Sequence, residues 1–329
     1  MKLALKNRFW NTGHTLNGVS SPSFNIWSNS KHEKEGVDVA KRTNRLWYIL
    51  FTAPLLLIFI TVVIIPFLMG IYYSFFQWDG IAANPKVFVG IENFIQLFSD
   101  TRFFKSAWTT TLFTILSVIL VNIVGLTFAL LVTTKLRTAN AARTMVFMPY
   151  LIGGLILGYI WQFVFSDVFK LIGNITGLES VFFNWLLNPD YAMYALVLVF
   201  TWQMAGYVMI IYIAGIQGIP NDVIEASKID GANGWQRLRS IIFPLLMPAF
   251  TISLFLTLSS AFKIYDVNLS LTGGGPANST EMFAMNIYNE IFGYGNYGFG
   301  QAKAILFFFI VAAITLTQVY ITKKREVEM

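Results

Sequence analysis

Residues 225–248 read EASKIDGANGWQRLRSIIFPLLMP, a charged, glycine-broken stretch inside a chain that is otherwise apolar. Pro220-Asn221 ahead of it is a helix start, with Asn221 placed to cap exposed amides and Asp222 and Glu225 set against the positive helix end. Gly231 stops that helix. A second start stands at Asn233, followed by Trp235, Leu238, Ile241 and Ile242 at helical spacing, and Pro244 and Pro248 turn the chain into the next apolar run. The expectation is a helix, a glycine turn and a second helix. The first has about ten residues, below the ~12–15 at which an isolated helix is marginally stable, so something must hold it. Its small Ala226 and Ser227 let another backbone come close.

The surroundings of this stretch set the fold class. The chain has 329 residues, of which 56% are hydrophobic and 12% charged, and its mean hydropathy is +0.61. These values describe an all-α polytopic membrane protein rather than two or three soluble domains. Six stretches carry no charged residue: 46–69, 108–132, 144–166, 192–216, 245–262 and 304–322. At 1.5 Å per residue each covers about 27 to 38 Å, against a hydrocarbon core of about 30 Å, and the last two are marginal. With the N-terminus inside, the inner segments 1–45, 133–143, 217–244 and 323–329 hold 17 of the 23 basic residues, whereas acidic residues divide almost evenly. This is the positive-inside bias, and it places both termini and the opening stretch in the cytoplasm. The expected organisation is a cytoplasmic arm (1–45), a first span with an outer segment (46–107), a core (108–322) containing the large inner loop 217–244, and a short tail (323–329).

Several chemistries are excluded. There is no cysteine, hence no disulfide, thiolate metal site or cysteine nucleophile. No G-x-x-x-x-G-K-[ST] loop occurs, so ATP binding in the P-loop manner is not expected. His32-Glu33 lacks a second histidine four residues on, and the only other histidine is His14, which leaves no zinc motif. No cofactor, metal or catalytic residue is expected. The basic residues behind the net charge of +6 fall mainly on one side of the membrane and do not call for nucleic acid.

The order Glu225-Ala226-Ser227, Asp230-Gly231-Ala232, Pro244 resembles the EAA loop of permease subunits in binding-protein-dependent ABC importers. Ser227 replaces the usual second alanine, and Leu238 stands where a phenylalanine is common. The resemblance covers residues 45–322. Ser74-Phe75-Phe76-Gln77-Trp78-Asp79, Gly90-Ile91-Glu92-Asn93-Phe94 and Leu271-Thr272-Gly273-Gly274-Gly275-Pro276 look like landmarks of the carbohydrate branch, of maltose and glycerol-phosphate type. Within it the chain is similar to the first of two paired permeases. The resemblance implies a type I importer fold and a coupling helix, carrying Glu225, Ala226, Ser227, Asp230, Gly231 and Ala232, seated in a cytoplasmic ATPase. The implied partners are a second homologous permease, two ATPase copies and an extracytoplasmic solute-binding protein, assembled in a bacterial or archaeal cell membrane around a sugar path.

That path requires hydrogen-bonding groups and flat apolar faces in spans three to five. Tyr150 after Pro149, Trp202 and Gln203 beside Gly206, and Thr257, Ser259 and Ser260 qualify, with helix–helix hydrogen bonding the alternative for the hydroxyls. By similarity to maltose-type permeases, the positions aligned with sugar contacts are Tyr150, Gly154, Phe200, Gln203, Met204, Thr257, Ala261 and Ile264. Several are apolar here, which counts against maltose itself. Lys263 and Asp266, three residues apart, are expected to share a helix face, either as an interfacial anchor pair or as a gate. Gly154-x-x-x-Gly158 permits close helix packing. Gly273-Gly274-Gly275-Pro276 is either a flexible turn or, as in the family, a loop near the docked binding protein.

Two rival functions make different demands on the sequence. A secondary transporter of a small polar solute is expected to carry ionisable residues within its spans and internal repeats, and a polytopic enzyme clustered His, Asp or Glu at membrane depth. The six apolar stretches contain neither.

Overall fold

The computed structural model describes residues 47–134 and 138–326; the expected arm at 1–45 lies outside them. The described residues divide into two units, with the boundary between Pro66 and Phe67. Helix α1 (Trp47–Tyr73) is the first span. Its part in the first unit shows exposed apolar side chains from Trp47 to Ile65, as lipid contact requires.

In the second unit a two-residue antiparallel hairpin, β1 (Phe76–Gln77) with β2 (Val87–Phe88), qualifies the all-α expectation. Helix α2 (Glu92–Leu97) leads to α3 (Thr101–Val132). Asp100 caps α3, accepting from the amides of Arg102 at 2.9 Å and Phe103 at 3.1 Å. Helix α4 (Ala139–Phe147) ends in a 3₁₀ turn at Met148–Leu151, and α5 runs over Gly154–Thr176. The apolar window at 144–166 is thus broken rather than continuous: the end of α4 packs on Gly206, midway along the helix Pro189–Gly218, where a β-carbon would come within 2.1 Å of Val146 O, and the first part of α5 carries the window onward. Pro149 has no amide to continue α4, and Gly153 is extended, so the helix restarts at Gly154 and continues through Asp167 and Lys170, which bounded the apolar window.

Helix α6 (Pro189–Gly218) is the most enclosed of the spans and packs along α3. The loop after it comprises α7 (Asn221–Ile229) and α8 (Gly234–Leu245). Helix α9 (Met247–Phe262), the fifth apolar run, bends away from α8 by 69° at Leu246, between Pro244 and Pro248. Short helices α10 (Asp266–Leu271) and α11 (Phe283–Tyr288) precede α12 (Tyr297–Lys323), the sixth span.

The close-packing reading of the third-span glycines holds. A β-carbon at Gly158 would come within 1.9 Å of Ser270 Oγ, and one at Gly154 within 2.8 Å of Asp266 Cβ, because α10 lies directly against α5. Helix α12 starts seven residues before the apolar window at 304–322, since the charge that ended the window, Lys303, is wholly buried and paired.

Candidate functional site

The loop at 221–236 is closed by local bonds. Asp230 ends α7, Gly231 takes φ +77°, the Gly231 amide donates to Lys228 O at 3.1 Å and the Ala232 amide to Ser227 O at 3.0 Å. These bonds close the turn in the manner of a Schellman cap, and they satisfy carbonyls the helix end leaves open. Two residues on, Asn233 Oδ1 accepts from the Gln236 amide and Gln236 Oε1 from the Asn233 amide, both at 2.9 Å, which forms a capping box. Asn221 is not the cap: Pro220 holds that place with no side-chain bond, because the chain enters α7 one residue earlier than the Asn signal implied. Ser227 is buried and donates to Ile224 O at 2.7 Å. Glu225, Ala226, Asp230 and Gly231 are exposed, Ala232 is half-buried, and Ile229 and Trp235 are 86% and 69% exposed. A nine-residue helix thus presents an acidic and apolar face on a fixed support.

The expected path residues separate into two groups. Tyr150, Gln203 and Gly154 meet around the 148–153 turn: Tyr150 stacks on Tyr207 at 4.5 Å and 12°, and Gln203 Nε2 donates to Ile152 O at 3.1 Å. Tyr150 stands in this turn, the break between α4 and α5 within the 144–166 window. Phe200, Met204, Thr257, Ala261 and Ile264 are buried, with Phe200 against Phe113 at 5.4 Å. Lys263 and Asp266 do not share a helix. Lys263 caps the end of α9, Asp266 opens α10, and among the ion pairs of the described residues they are not joined. Both are exposed, and Asp266 lies beside Gly154.

Two polar constructions were missed by sequence reasoning. Asn122 Oδ1 accepts from the Tyr212 hydroxyl and from Ser253 Oγ, each at 2.8 Å, while Asn122 Nδ2 donates to Val118 O at 2.7 Å and Thr257 Oγ1 at 3.3 Å. All four side chains are buried, and they bind α3, α6 and α9 together in the apolar core. Thr257 is thus committed to helix–helix bonding in this conformation. The second is a charged clasp. Lys303 Nζ lies 2.6 Å from both Asp100 Oδ2 and Glu290 Oε2, and Arg102 grips Glu281 through two bonds at 2.8 and 2.5 Å. Burial opposes the Asp100 charge, but Lys303 and the Phe103 and Arg102 amides outweigh it and hold the carboxyl below its usual range. Arg102 and Glu281 are 179 residues apart, so no local pattern announces the pair.

Beyond this clasp, residues 271–281 form an ordered loop. Thr280 Oγ1 donates to Gly275 O at 2.6 Å and Asn268 Nδ2 to Thr280 O at 2.9 Å, so the glycine run is not a loose turn. Its residues Leu271, Thr272, Gly275 and Pro276 form one wall of a cleft of about 580 Å³. Asn184, Leu186 and Leu187, in the turn just ahead of α6, help line the cleft, whereas α7 follows the end of α6; the 30 residues of α6 separate the two sites by about 45 Å.

Residues 122–327 match the family of binding-protein-dependent transport system inner membrane components. The chain is 52% identical over 286 residues to the probable starch degradation products transport system permease protein AmyD of Thermoanaerobacterium thermosulfurigenes, covering 87% of this chain and 97% of that one. It is 32% identical to the trehalose/maltose transport system permease protein MalF of Thermococcus litoralis, covering 86% and 96%. Among solved structures, a bacterial ABC transporter involved in import of the acidic polysaccharide alginate superposes with a TM-score of 0.75 at 20% identity, over 87% of this chain and 99% of that one. At that identity the likeness concerns the fold.

Proposed function

The chain belongs to the family of binding-protein-dependent transport system inner membrane components, and from that premise we propose that it is the first of two paired permeases of an ATP-driven importer for a sugar or oligosaccharide. The observation that carries the proposal is the closed loop at 221–236: a helix too short to stand alone, followed by the Gly231 and Asn233 caps and presenting Glu225, Ala226 and Ile229 outward. Such a part transmits a push without deforming. The saccharide assignment draws on the relatives, named for starch degradation products and for trehalose and maltose.

In this proposal the chain carries out no reaction. Two copies of a cytoplasmic ATPase close on ATP and push α7 of this chain and the matching helix of its partner permease, and the paired permeases alternate between inward- and outward-open states while a binding protein delivers sugar from outside. Energy has to enter through a partner, because a ligand shifts a two-state equilibrium only by binding the states differently and this chain contains no nucleotide loop. The path runs past Tyr150, Gln203 and Gly154, with Asp266 beside it as the gate candidate and Phe200, Met204, Thr257, Ala261 and Ile264 exposed only when α5, α6 and α9 part. Both termini are cytoplasmic, following the distribution of Lys and Arg.

Two measurements test this. The tagged chain should copurify with a nucleotide-binding subunit, and the reconstituted complex should take up labelled maltotriose only with ATP and a binding protein; uptake driven by an ion gradient alone would establish the secondary-transporter rival. For orientation, single cysteines at positions 170 and 278 in this cysteine-free chain should be labelled only from outside.

A further inference from the structure

We propose that the cleft between α5 and the 271–276 loop is an entry subsite for an uncharged saccharide, a station outside the Tyr150–Gln203 region on the same transport path; this rests on the importer reading above. Tyr159, Gln162, Phe163, Ser166 and Asp167 line it from α5, at the i, i+3, i+4, i+7, i+8 spacing of one helix face. They lie five to thirteen residues beyond Gly154, about 7 to 20 Å further along the helix. The opposite face of the cleft is the hydrogen-bonded loop through Thr272, Gly275 and Pro276. Its volume of about 580 Å³ falls within the 300–1,000 Å³ typical of small-molecule sites.

The chemistry of the lining selects the occupant. Tyr159 and Phe163 are 61% and 60% exposed and offer flat apolar faces. Around them stand polar groups with unused capacity. Among the described residues neither the Tyr159 hydroxyl nor the Gln162 amide has a protein partner, and Asn184 uses only its oxygen, accepting from the Leu186 amide at 3.0 Å. Asp167 is bonded to Ser166 Oγ at 2.5 Å and, among the described residues, is in no ion pair. A phenol, two amide groups and a carboxylate converging beside aromatic faces match the alternating hydroxyl and C–H surfaces of a sugar ring. A lipid-facing aromatic girdle needs the rings but not the converging amides and carboxylate. The uncompensated carboxylate also repels an acidic saccharide and accepts from neutral hydroxyls, which makes the site selective by charge.

Gln162→Ala and Asp167→Asn suit the test because neither side chain is buried in the core. The full transporter is reconstituted with its ATPases and binding protein, and two quantities are read: ATP-dependent uptake of maltotriose, and the binding-protein concentration that half-saturates ATP hydrolysis. Each variant should lower uptake about tenfold, the effect of one lost sugar hydrogen bond, with the docking concentration unchanged. In direct titrations of the complex in lipid nanodiscs, Asp167→Asn should also narrow the preference for maltotriose over trigalacturonate. A rise in the docking concentration for empty and loaded binding protein alike would make the cleft a protein-docking surface and overturn the proposal, as would parental uptake in both variants. Failure of the parent itself to take up maltotriose would instead remove the saccharide reading on which the cleft depends.

Discussion

Replacing Gly231 isolates the geometry of the 221–236 loop from its chemistry. A β-carbon at this position would meet nothing within 4 Å, so Gly231→Ala introduces no clash at the first side-chain atom. What changes is the backbone, because φ of +77° is a conformation that a residue with a β-carbon occupies at a cost of about 1–2 kcal/mol, more for a branched one such as Val. The two cap bonds, Gly231 N to Lys228 O and Ala232 N to Ser227 O, depend on that conformation. A cost of about 1.4 kcal/mol reduces the population of the closed cap tenfold relative to its frayed alternatives. It is small beside the 5–15 kcal/mol by which proteins are generally stable, so insertion and folding should survive. Removing the second cap with Asn233→Ala adds about 1 kcal/mol at the start of α8. The expected order is therefore parent, Gly231→Ala, Gly231→Val, then Gly231→Val with Asn233→Ala, in falling ATPase pull-down and substrate-stimulated hydrolysis at unchanged expression. Glu225→Lys should act in the same assay through charge rather than geometry. Parental coupling in Gly231→Val would show that the loop's shape transmits nothing, and the reasoning would fail.

Lys303→Met should destabilise by about 3–5 kcal/mol, since it leaves Asp100 and Glu290 without their shared cation, and thermal denaturation in detergent would register it; Lys303→Met with Glu290→Gln should recover part of the loss. The Asp100 contribution has a defined pH sense. Because its folded pKa lies below the unfolded value near 3.9, the stabilisation is complete above about pH 5 and disappears as pH falls through the folded value, so Asp100→Asn and parent should converge in acid and differ at neutrality. Asn122→Leu should cost about 1–3 kcal/mol by leaving the Tyr212 and Ser253 hydroxyls without their shared acceptor, towards the lower end because a membrane reference state offers them other partners; an unaltered melting temperature would mean the network is not formed. Gln203→Ala or Tyr150→Ala should weaken transport without reducing ATPase pull-down, and unchanged uptake kinetics in both would remove them from the path.

Much of this protein is written locally. A helix end needs only an Asn three residues before a Gln, or a glycine where the chain must turn left-handed, and both the Asn233 box and the Gly231 cap lie where the residue order places them. The apolar stretches likewise imply spans, because the bilayer penalises every exposed polar group alike. Their limits were decided elsewhere. The 144–166 window is broken at Pro149, and α5 continues past it through the exposed Asp167 and Lys170, while the last helix takes in Lys303, since a charge that hydropathy treats as a terminus becomes an interior residue once Asp100 and Glu290 surround it. Lys263 and Asp266, neighbours by spacing, part because α9 ends between them. Asn122, Tyr212, Ser253 and Thr257 are unremarkable in sequence and meet only when α3, α6 and α9 pack, as do the faces of the α5 cleft when the 271–276 loop closes over it. Turn chemistry acts over four or five residues and can be read there; the pairing of buried polar groups acts across tens of residues to well over a hundred and exists only after the helices have chosen their neighbours.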